Sequence, residues 1–199
     1  MTIEARPAEV RLKDGETVAI RPMSRDDVER SLAIFLGLPE EDRRYLRVDV
    51  TKRDNVERRV EAMEAGRVRR LVAIAADEIV ADGALELSPE EWTANSGEIR
   101  LIVSRPYQRR GLGMLMAREL YLLAISERLE HIVVRFAGPQ VAARSIFHRL
   151  GFEEEFALPN HILDRTGHRQ DLVLMRCDVA EMWRELESFF EQADWQRTR

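Results

Sequence analysis

A glycine-rich turn between a strand-type segment and a helix-type segment is the part of this sequence best suited to chemistry. The strand-type segment ends at Val103, and Gly111 and Gly113 follow it, separated by one residue. The first N–H groups of a helix have no partner within it, and the helix dipole places partial positive charge there. Glycines allow a bound anion to approach the backbone closely. Arg109 and Arg110 add guanidinium donors beside the turn. The expected ligand is therefore a pyrophosphate.

The spacing of this turn excludes two other phosphate-binding motifs. A P-loop has Lys followed by Ser or Thr after its second glycine, whereas this chain has Met114 and Leu115 there. A dinucleotide fingerprint needs three glycines and a later acidic residue for the ribose. The turn instead resembles the signature of the GNAT superfamily of N-acetyltransferases: Gln or Arg, two residues, Gly, one residue, Gly or Ala. Gln108, Gly111 and Gly113 occupy those places, although these residues alone also fit an ordinary surface turn.

The similarity to this superfamily extends over most of the chain, from Val18 to Cys177. The segment VAIRPMSRDD resembles the first strand and helix of the superfamily. The segment QVAARSIFHRLGF resembles the fourth helix of the superfamily, and DRTGHRQDLVLM resembles its closing hairpin. The hydrophobic pattern predicts the matching order of strand, two helices, three antiparallel strands, helix, strand, helix and two strands. We therefore predict an α/β (α+β) protein with a mixed central sheet and helices on both faces, the GNAT acyl-CoA acyltransferase fold. This coverage argues against a coincidental surface turn.

The resemblance implies that the chain binds an acyl-CoA, usually acetyl-CoA, and transfers the acyl group directly to a primary amine. In the family the central strand separates from its parallel neighbour, and the pantetheine arm pairs with the exposed strand backbone. The residues implied for cofactor binding are Leu101, Ile102 and Val103 on the strand and Gln108, Arg109, Arg110, Gly111, Leu112 and Gly113 in the loop. The acceptor, a small molecule or a protein lysine, is not specified by the sequence.

Acylation of an amine requires a base, because a lysine-type ammonium has a pKa of about 10.4 and must lose a proton before it attacks. Glu98 opens the central strand, with Arg100 on the same face. In the branch of the superfamily that acetylates protein lysines, a glutamate at this spacing resembles the general base. Glu98 is therefore the predicted catalytic residue, and Glu86 on the neighbouring strand is a second candidate. A solvated strand end or an ion pair with Arg100 is the structural alternative.

The sequence departs from the family at the expected general acid. Many members have a tyrosine four residues before a Gly-Phe pair, placed to protonate the leaving thiolate, whereas this chain has Phe147. Gln140 likewise stands where an asparagine is common. Two hypotheses follow: an acyltransferase whose thiolate leaves without a dedicated acid, or a catalytically degenerate acyl-CoA-binding sensor or interaction module. The first is preferred because most of the chain fits the family.

Composition limits the other classes of function. The chain has 199 residues, 45% of them hydrophobic, which fits one globular domain. A net charge of −5 with interspersed signs argues against general nucleic-acid binding. One cysteine, no signal-peptide pattern and no apolar run of about 20 residues predict a cytoplasmic protein that does not enter a membrane. The four histidines have no metal-ligand spacing, so no metal is expected.

The end of the chain is predicted to form a helical extension. Residues 1–177 are assigned to the GNAT domain and residues 178–199 to an amphipathic helix, because Val179, Met182, Trp183 and Leu186 recur at helical spacing. Packing of this helix on its own domain is favoured, and a homodimer interface is the alternative.

Overall fold

The computed structural model describes residues 7–192, which form an eight-stranded mixed sheet with helices on both faces. The strands are β1 Ala8–Arg11, β2 Thr17–Pro22, β3 Val68–Ala75, β4 Glu78–Leu87, β5 Ser96–Val103, β6 His131–Ala137, β7 Glu153–Leu163 and β8 Arg169–Asp178. The helices are α1 Val28–Gly37, α2 Glu40–Arg43, α3 Arg53–Glu64, α4 Leu112–Ser126, α5 Val141–His148 and α6 Val179–Gln192.

The strand order across the sheet is β1-β2-β3-β4-β5-β6-β8-β7. β5 and β6 run parallel, and the other neighbouring pairs run antiparallel. The helix α4 connects β5 to β6, as expected for a parallel pair, which cannot be joined by a tight hairpin. The structure contains the predicted order of elements, with the strand β1 and the short helix α2 in addition to it, and β5 lies at the centre of the sheet.

The two faces of β5 contribute to two hydrophobic clusters. Ile99 belongs to the cluster that contains the buried side chains of α4, and the partly buried Leu101 and Val103 pack against that cluster. Ile102, on the opposite face, packs against the cluster that contains Phe35 of α1 and residues of α3. The alternation of side chains along a strand thus places α4 on one side of the sheet and α1 with α3 on the other. This arrangement fixes both ends of β5 and positions the loop that follows it.

The start of α6 packs on α4. Val179 and Met182 are buried, and the ring of Trp183 stacks on that of Tyr121 with 5.3 Å between centroids. The predictions for the Leu186 side chain and for residues 193–199 fall outside what the structure describes. Packing of the helix on its own domain is thus observed for its first turns, while the division at residue 177 and the homodimer interface stay predictions.

Candidate active site

The parallel strands β5 and β6 diverge in the middle of the sheet. Their pairing runs from Ser96↔His131 to Glu98↔Val133. β5 remains paired with β4 as far as Val103, and β6 remains paired with β8 along its length. The two strands therefore separate beyond Glu98 while each keeps its outer neighbour. The result is a gap that opens toward the C-terminal ends of both strands.

Part of the β5 backbone faces this gap. The Ser104 N–H donates to the Val80 carbonyl on β4 at 2.9 Å. Because successive residues of a strand direct their backbone groups to opposite neighbours, Ile102 also directs its N–H and C=O toward β4. Leu101 and Val103 direct theirs away from β4 and toward the gap. Of the three strand residues predicted to bind the cofactor, Leu101 and Val103 thus present backbone to the gap, whereas Ile102 lines the neighbouring cleft.

The loop after β5 leaves the N-terminus of α4 open. Gly111 has φ +91° and is the N-cap residue, a left-handed conformation that favours glycine. The first hydrogen bond of the helix is donated by the Met114 N–H to the Gly111 carbonyl at 3.1 Å. The N–H groups of Leu112 and Gly113 precede it and have no partner within the helix. A Cβ on Gly113 would have its nearest neighbour, Val103 Cγ2, at 4.0 Å, so a ligand could approach this backbone.

Gln108, the first residue of the motif, links the loop to the strand. Its side-chain nitrogen donates to the Val103 carbonyl at 2.9 Å. Its own N–H donates to the Arg105 carbonyl at 3.2 Å and ends the short 3-10 turn at Arg105–Tyr107. The side chain of Gln108 therefore stabilises the shape of the loop. The second lone pair of the Val103 carbonyl remains available to a further donor.

The two arginines of the loop have different surroundings. Arg110 is ion-paired with Asp14 and Glu16 of the β1–β2 turn, and its guanidinium carbon lies 4.7 Å from the centroid of the Tyr107 ring. The hydrogen bonds to Asp14 and Glu16 raise the pKa of Arg110 above its ordinary value. Arg109 is exposed and has φ +59°. Arg110 therefore fixes the loop on the β1–β2 turn, and Arg109 extends into solvent.

Glu98 lies where β5 and β6 separate, with only 8% of its surface exposed. Its carboxylate is ion-paired with Arg47, and Arg135 of β6 approaches its second oxygen to 3.7 Å. Arg100 pairs with Glu86 instead, at 2.7 Å. Glu98 is thus neither a solvated strand end nor the partner of Arg100. It is a largely buried carboxylate held between two guanidinium groups at the closed end of the gap.

A cleft of about 210 Å³ lies beside this carboxylate and is lined by its two partners, Arg47 and Arg135. Its apolar walls include side chains of β6 and α5, and its other walls come from α1, β3, β4, β5, α3 and the segment 45–50 between α2 and α3. Charged groups and apolar surface therefore meet in one cavity beside the strand gap. Such a mixture is typical of sites that bind and orient a small polar substrate.

Comparison with known proteins agrees with this geometry. Residues 79–158 match the model of the FR47-like protein family. Mycobacterium smegmatis RimJ in complex with CoA-disulfide is 18% identical, with a TM-score of 0.74 over 92% of this chain and 93% of that one. The GNAT domain of S. lividans PAT is 18% identical, with a TM-score of 0.71 over 86% and 96%. No curated protein sequence matches significantly.

A third solved structure, ribosomal-protein-alanine N-acetyltransferase from Brucella melitensis, is 22% identical, with a TM-score of 0.66 over 80% of this chain and 98% of that one. The chain has the GNAT fold. The resemblance predicted from the sequence and the predicted mixed sheet are therefore confirmed. Within this GNAT fold, the FR47-like match spans β4 to the first half of β7, and so includes the diverging strands and the glycine loop.

The two departures from the GNAT pattern have structural contacts. Phe147 is buried, lies edge-on to Phe152 at 5.1 Å and packs near Phe136 at 5.4 Å between ring centroids. The Gln140 side-chain oxygen accepts a hydrogen bond from the Ala137 N–H at 2.8 Å. Both residues also line the cleft. The position of the usual tyrosine therefore presents an aromatic ring that has no proton to donate.

Sequence reasoning missed Arg47 and Arg135, the two partners of Glu98. Arg47 lies in a charged segment that has no clear periodicity, and its partner is 51 residues away. Arg135 stands in an apolar run, where a lone charged residue signals either an exposed strand face or a buried ion pair. That signal at Arg135 could have directed attention to the face that β6 shares with Glu98.

The remaining groups considered from the sequence have no visible role in the site. Burial raises the pKa of the Cys177 thiol to about 12, which makes it a poor nucleophile. Within residues 7–192, no set of three or more His, Cys, Asp and Glu side chains could hold a metal ion. In the same range, no helix combines the length and the hydrophobicity needed to cross a bilayer.

Proposed function

We propose that this chain is an N-acetyltransferase that moves the acetyl group of acetyl-CoA directly to a primary amine, either on a small molecule or on a protein lysine. The observation that supports this most strongly is the divergence of β5 and β6 beyond Glu98, next to the open N-terminus of α4. One continuous surface thereby offers strand backbone to an amide-bearing arm and helix N–H groups to a diphosphate.

In this proposal the N–H groups of Leu112 and Gly113 receive the diphosphate of CoA, and Arg109 adds charge from the solvent side. Gly111 provides the left-handed turn that orients those N–H groups. The amides of the pantetheine arm pair with the backbone of Leu101 and Val103. Ile102 contributes through its side chain, and Gln108 and Arg110 act by holding the loop in place.

Glu98 would serve as the general base. It takes a proton from the acceptor ammonium, directly or through water, because only the neutral amine can attack the thioester carbon. A C–N bond then forms, the attacking nitrogen releases its second proton to water, the C–S bond breaks, and CoA leaves as a thiolate. The contacts with Arg47 and Arg135 orient the carboxylate of Glu98. A free thiol has a pKa near 8.5, so the thiolate can leave and take its proton from water although Phe147 cannot supply one.

A second candidate function is a sensor that binds acyl-CoA without turnover. The packing of Phe147 among Phe136 and Phe152 favours it, because the side chain at the usual position of the general acid then has no proton to donate. Both candidates require CoA binding, so they differ only in whether transfer follows.

The test is to follow thiol release from acetyl-CoA with a panel of amines and protein acceptors, and in parallel to measure the melting temperature. For the acetyltransferase we expect release above the hydrolysis background with at least one acceptor. We also expect stabilisation by acetyl-CoA of roughly 2.7 kcal/mol at a hundred times its Kd. Stabilisation of the protein by acetyl-CoA, without thiol release with any acceptor, would favour the sensor. If acetyl-CoA gave neither stabilisation nor release, both candidates would be excluded.

A further inference from the structure

The cleft beside Glu98 contains more positive charge than its own carboxylates neutralise. Five guanidinium groups line it, those of Arg47, Arg59, Arg70, Arg100 and Arg135. Two carboxylates line it, those of Asp82 and Glu86, and Glu98 adjoins it as the partner of Arg47 and Arg135. Arginine stays protonated in proteins at neutral pH, so the excess persists under ordinary conditions. This local excess is opposite in sign to the net charge of the whole chain.

The inner part of the cleft is built around one shared carboxylate. Asp82 accepts hydrogen bonds from Arg59 and Arg70 through the same oxygen, the bond from Arg59 being 2.8 Å. Within the described part of the chain, Arg59 Nη1, Arg70 Nε and Asp82 Oδ2 are buried without a hydrogen-bond partner. Burial lowers the pKa of Arg59 to about 10, and the nearby Arg70 and Arg100 add to this shift. Two guanidinium groups therefore depend on one carboxylate here.

The outer part of the cleft contains the guanidinium groups that a ligand can reach. The side chains of Arg47, Arg100 and Arg135 are 34%, 38% and 45% exposed. Arg47 and Arg135 share Glu98, while Arg100 has Glu86 as its partner. Burial, followed by the charge of Arg47, lowers the pKa of Arg100. Three accessible arginines thus surround the end of the cleft at which the proposed base lies.

We propose that this cleft binds a carboxylate carried by one of the two reactants, close to the thioester. The proposal rests on the proposed function, since it takes the cleft to be the place of acyl transfer. A carboxylate matches the paired donors of a guanidinium group, and its charge offsets the excess that the cleft's own residues leave. The same excess disfavours polyamines and lysines within basic peptides, because additional cations would be repelled. The carboxylate can belong to the acceptor, as in an amino acid, or to the acyl group, as in succinyl-CoA.

Two arms of one kinetic experiment distinguish these sources. The first compares amino acids with their C-terminal amides as acceptors of acetyl-CoA, and the second compares succinyl-CoA with acetyl-CoA for one uncharged amine. We expect kcat/KM to be at least about tenfold higher for the carboxylate-bearing reactant in one arm. Arg100→Gln should abolish that preference and leave the KM for acetyl-CoA unchanged. Transfer without a preference in either arm would overturn the proposal.

A binding measurement separates this proposal from the proposed function. Succinate should raise the melting temperature of the protein without CoA more than the uncharged succinamide does, and Arg100→Gln should remove the difference. Arg25→Gln is the matched control, since Arg25 pairs with Glu64 and its side chain is 63% exposed outside the cleft. If Arg100→Gln does not fold, Arg135→Gln provides the same test, because it removes the guanidinium group that β6 contributes to the cleft.

The outcomes remain distinct when no transfer is detected. A specific effect of succinate that depends on Arg100 would then support the carboxylate site while the proposed function fails. Equal effects of succinate and succinamide, with no transfer in any arm, would overturn the carboxylate site. Loss of the succinate effect in Arg25→Gln as well would show that the anion binds elsewhere, and this too would contradict the proposal.

Discussion

Replacing Glu98 with glutamine is expected to lower kcat/KM for acetyl transfer by about 100- to 10,000-fold, the contribution typical of a positioned general base. Glutamine keeps the size of the side chain and removes its capacity to accept the proton. The rate of the variant should keep rising toward pH 10, because the substrate ammonium then loses its proton to solvent. Steady-state thiol release between pH 6 and about 10 measures both effects.

Glu86→Gln is the matched control for this substitution. Glu86 is the register partner of Glu98 on β4, lines the cleft beside Glu98 and pairs with an arginine of its own. Both variants should still bind acetyl-CoA, which separates loss of the base from loss of the fold. Full activity of Glu98→Gln would contradict the assignment. A larger loss in Glu86→Gln would transfer the role to the second candidate.

Replacing Gly113 with glutamate is expected to weaken acetyl-CoA binding by at least about a hundredfold. Like charges about 4 Å apart repel by roughly 4 kcal/mol at an effective dielectric constant of 20, which is more than this factor requires. The fold should tolerate the change, because a Cβ at Gly113 would make only an ordinary contact with Val103 Cγ2 at 4.0 Å. An acidic side chain in the first turn of a helix is also stabilising by about 0.3–1 kcal/mol. Titration calorimetry and the melting temperature of the variant measure the two effects.

Gly113→Ala serves as the control, since it adds a side chain without charge at a position where the GNAT motif accepts alanine. It should bind acetyl-CoA within a few-fold of the original chain. In an ordinary surface turn both variants would leave CoA binding unchanged. Equal affinities of Gly113→Glu and the original chain would therefore exclude this helix N-terminus as the diphosphate site.

The parts of this fold that depend on local pattern were predictable from the sequence. The apolar run ending at Val103, the glycine at Gly111 and the helix-forming segment after it are properties of neighbouring residues, and the structure has a strand, a left-handed turn and a helix there. The divergence of β5 and β6 was predictable only through the family resemblance, because no local pattern indicates where a parallel pair stops.

The pairing of charged side chains could not be predicted in the same way. Arg110 is a residue type that commonly binds phosphate. In the structure, however, it pairs with Glu16, which lies 94 residues away on the β1–β2 turn. The structural alternative considered for Glu98 was an ion pair with its strand neighbour Arg100, and it is not observed because Arg47 reaches Glu98 from a distant segment and Arg100 pairs with Glu86. Ion pairs between distant residues follow from how helices and strands pack, and a 34% charged chain offers many alternatives.

A structure of the chain with CoA bound tests the central claim most directly. The account expects the diphosphate oxygens within hydrogen-bond distance of the Leu112 and Gly113 N–H groups, with the pantetheine arm lying between β5 and β6 beside Leu101 and Val103. A diphosphate bound elsewhere on the surface, or an arm that stays outside the gap between these strands, would contradict it.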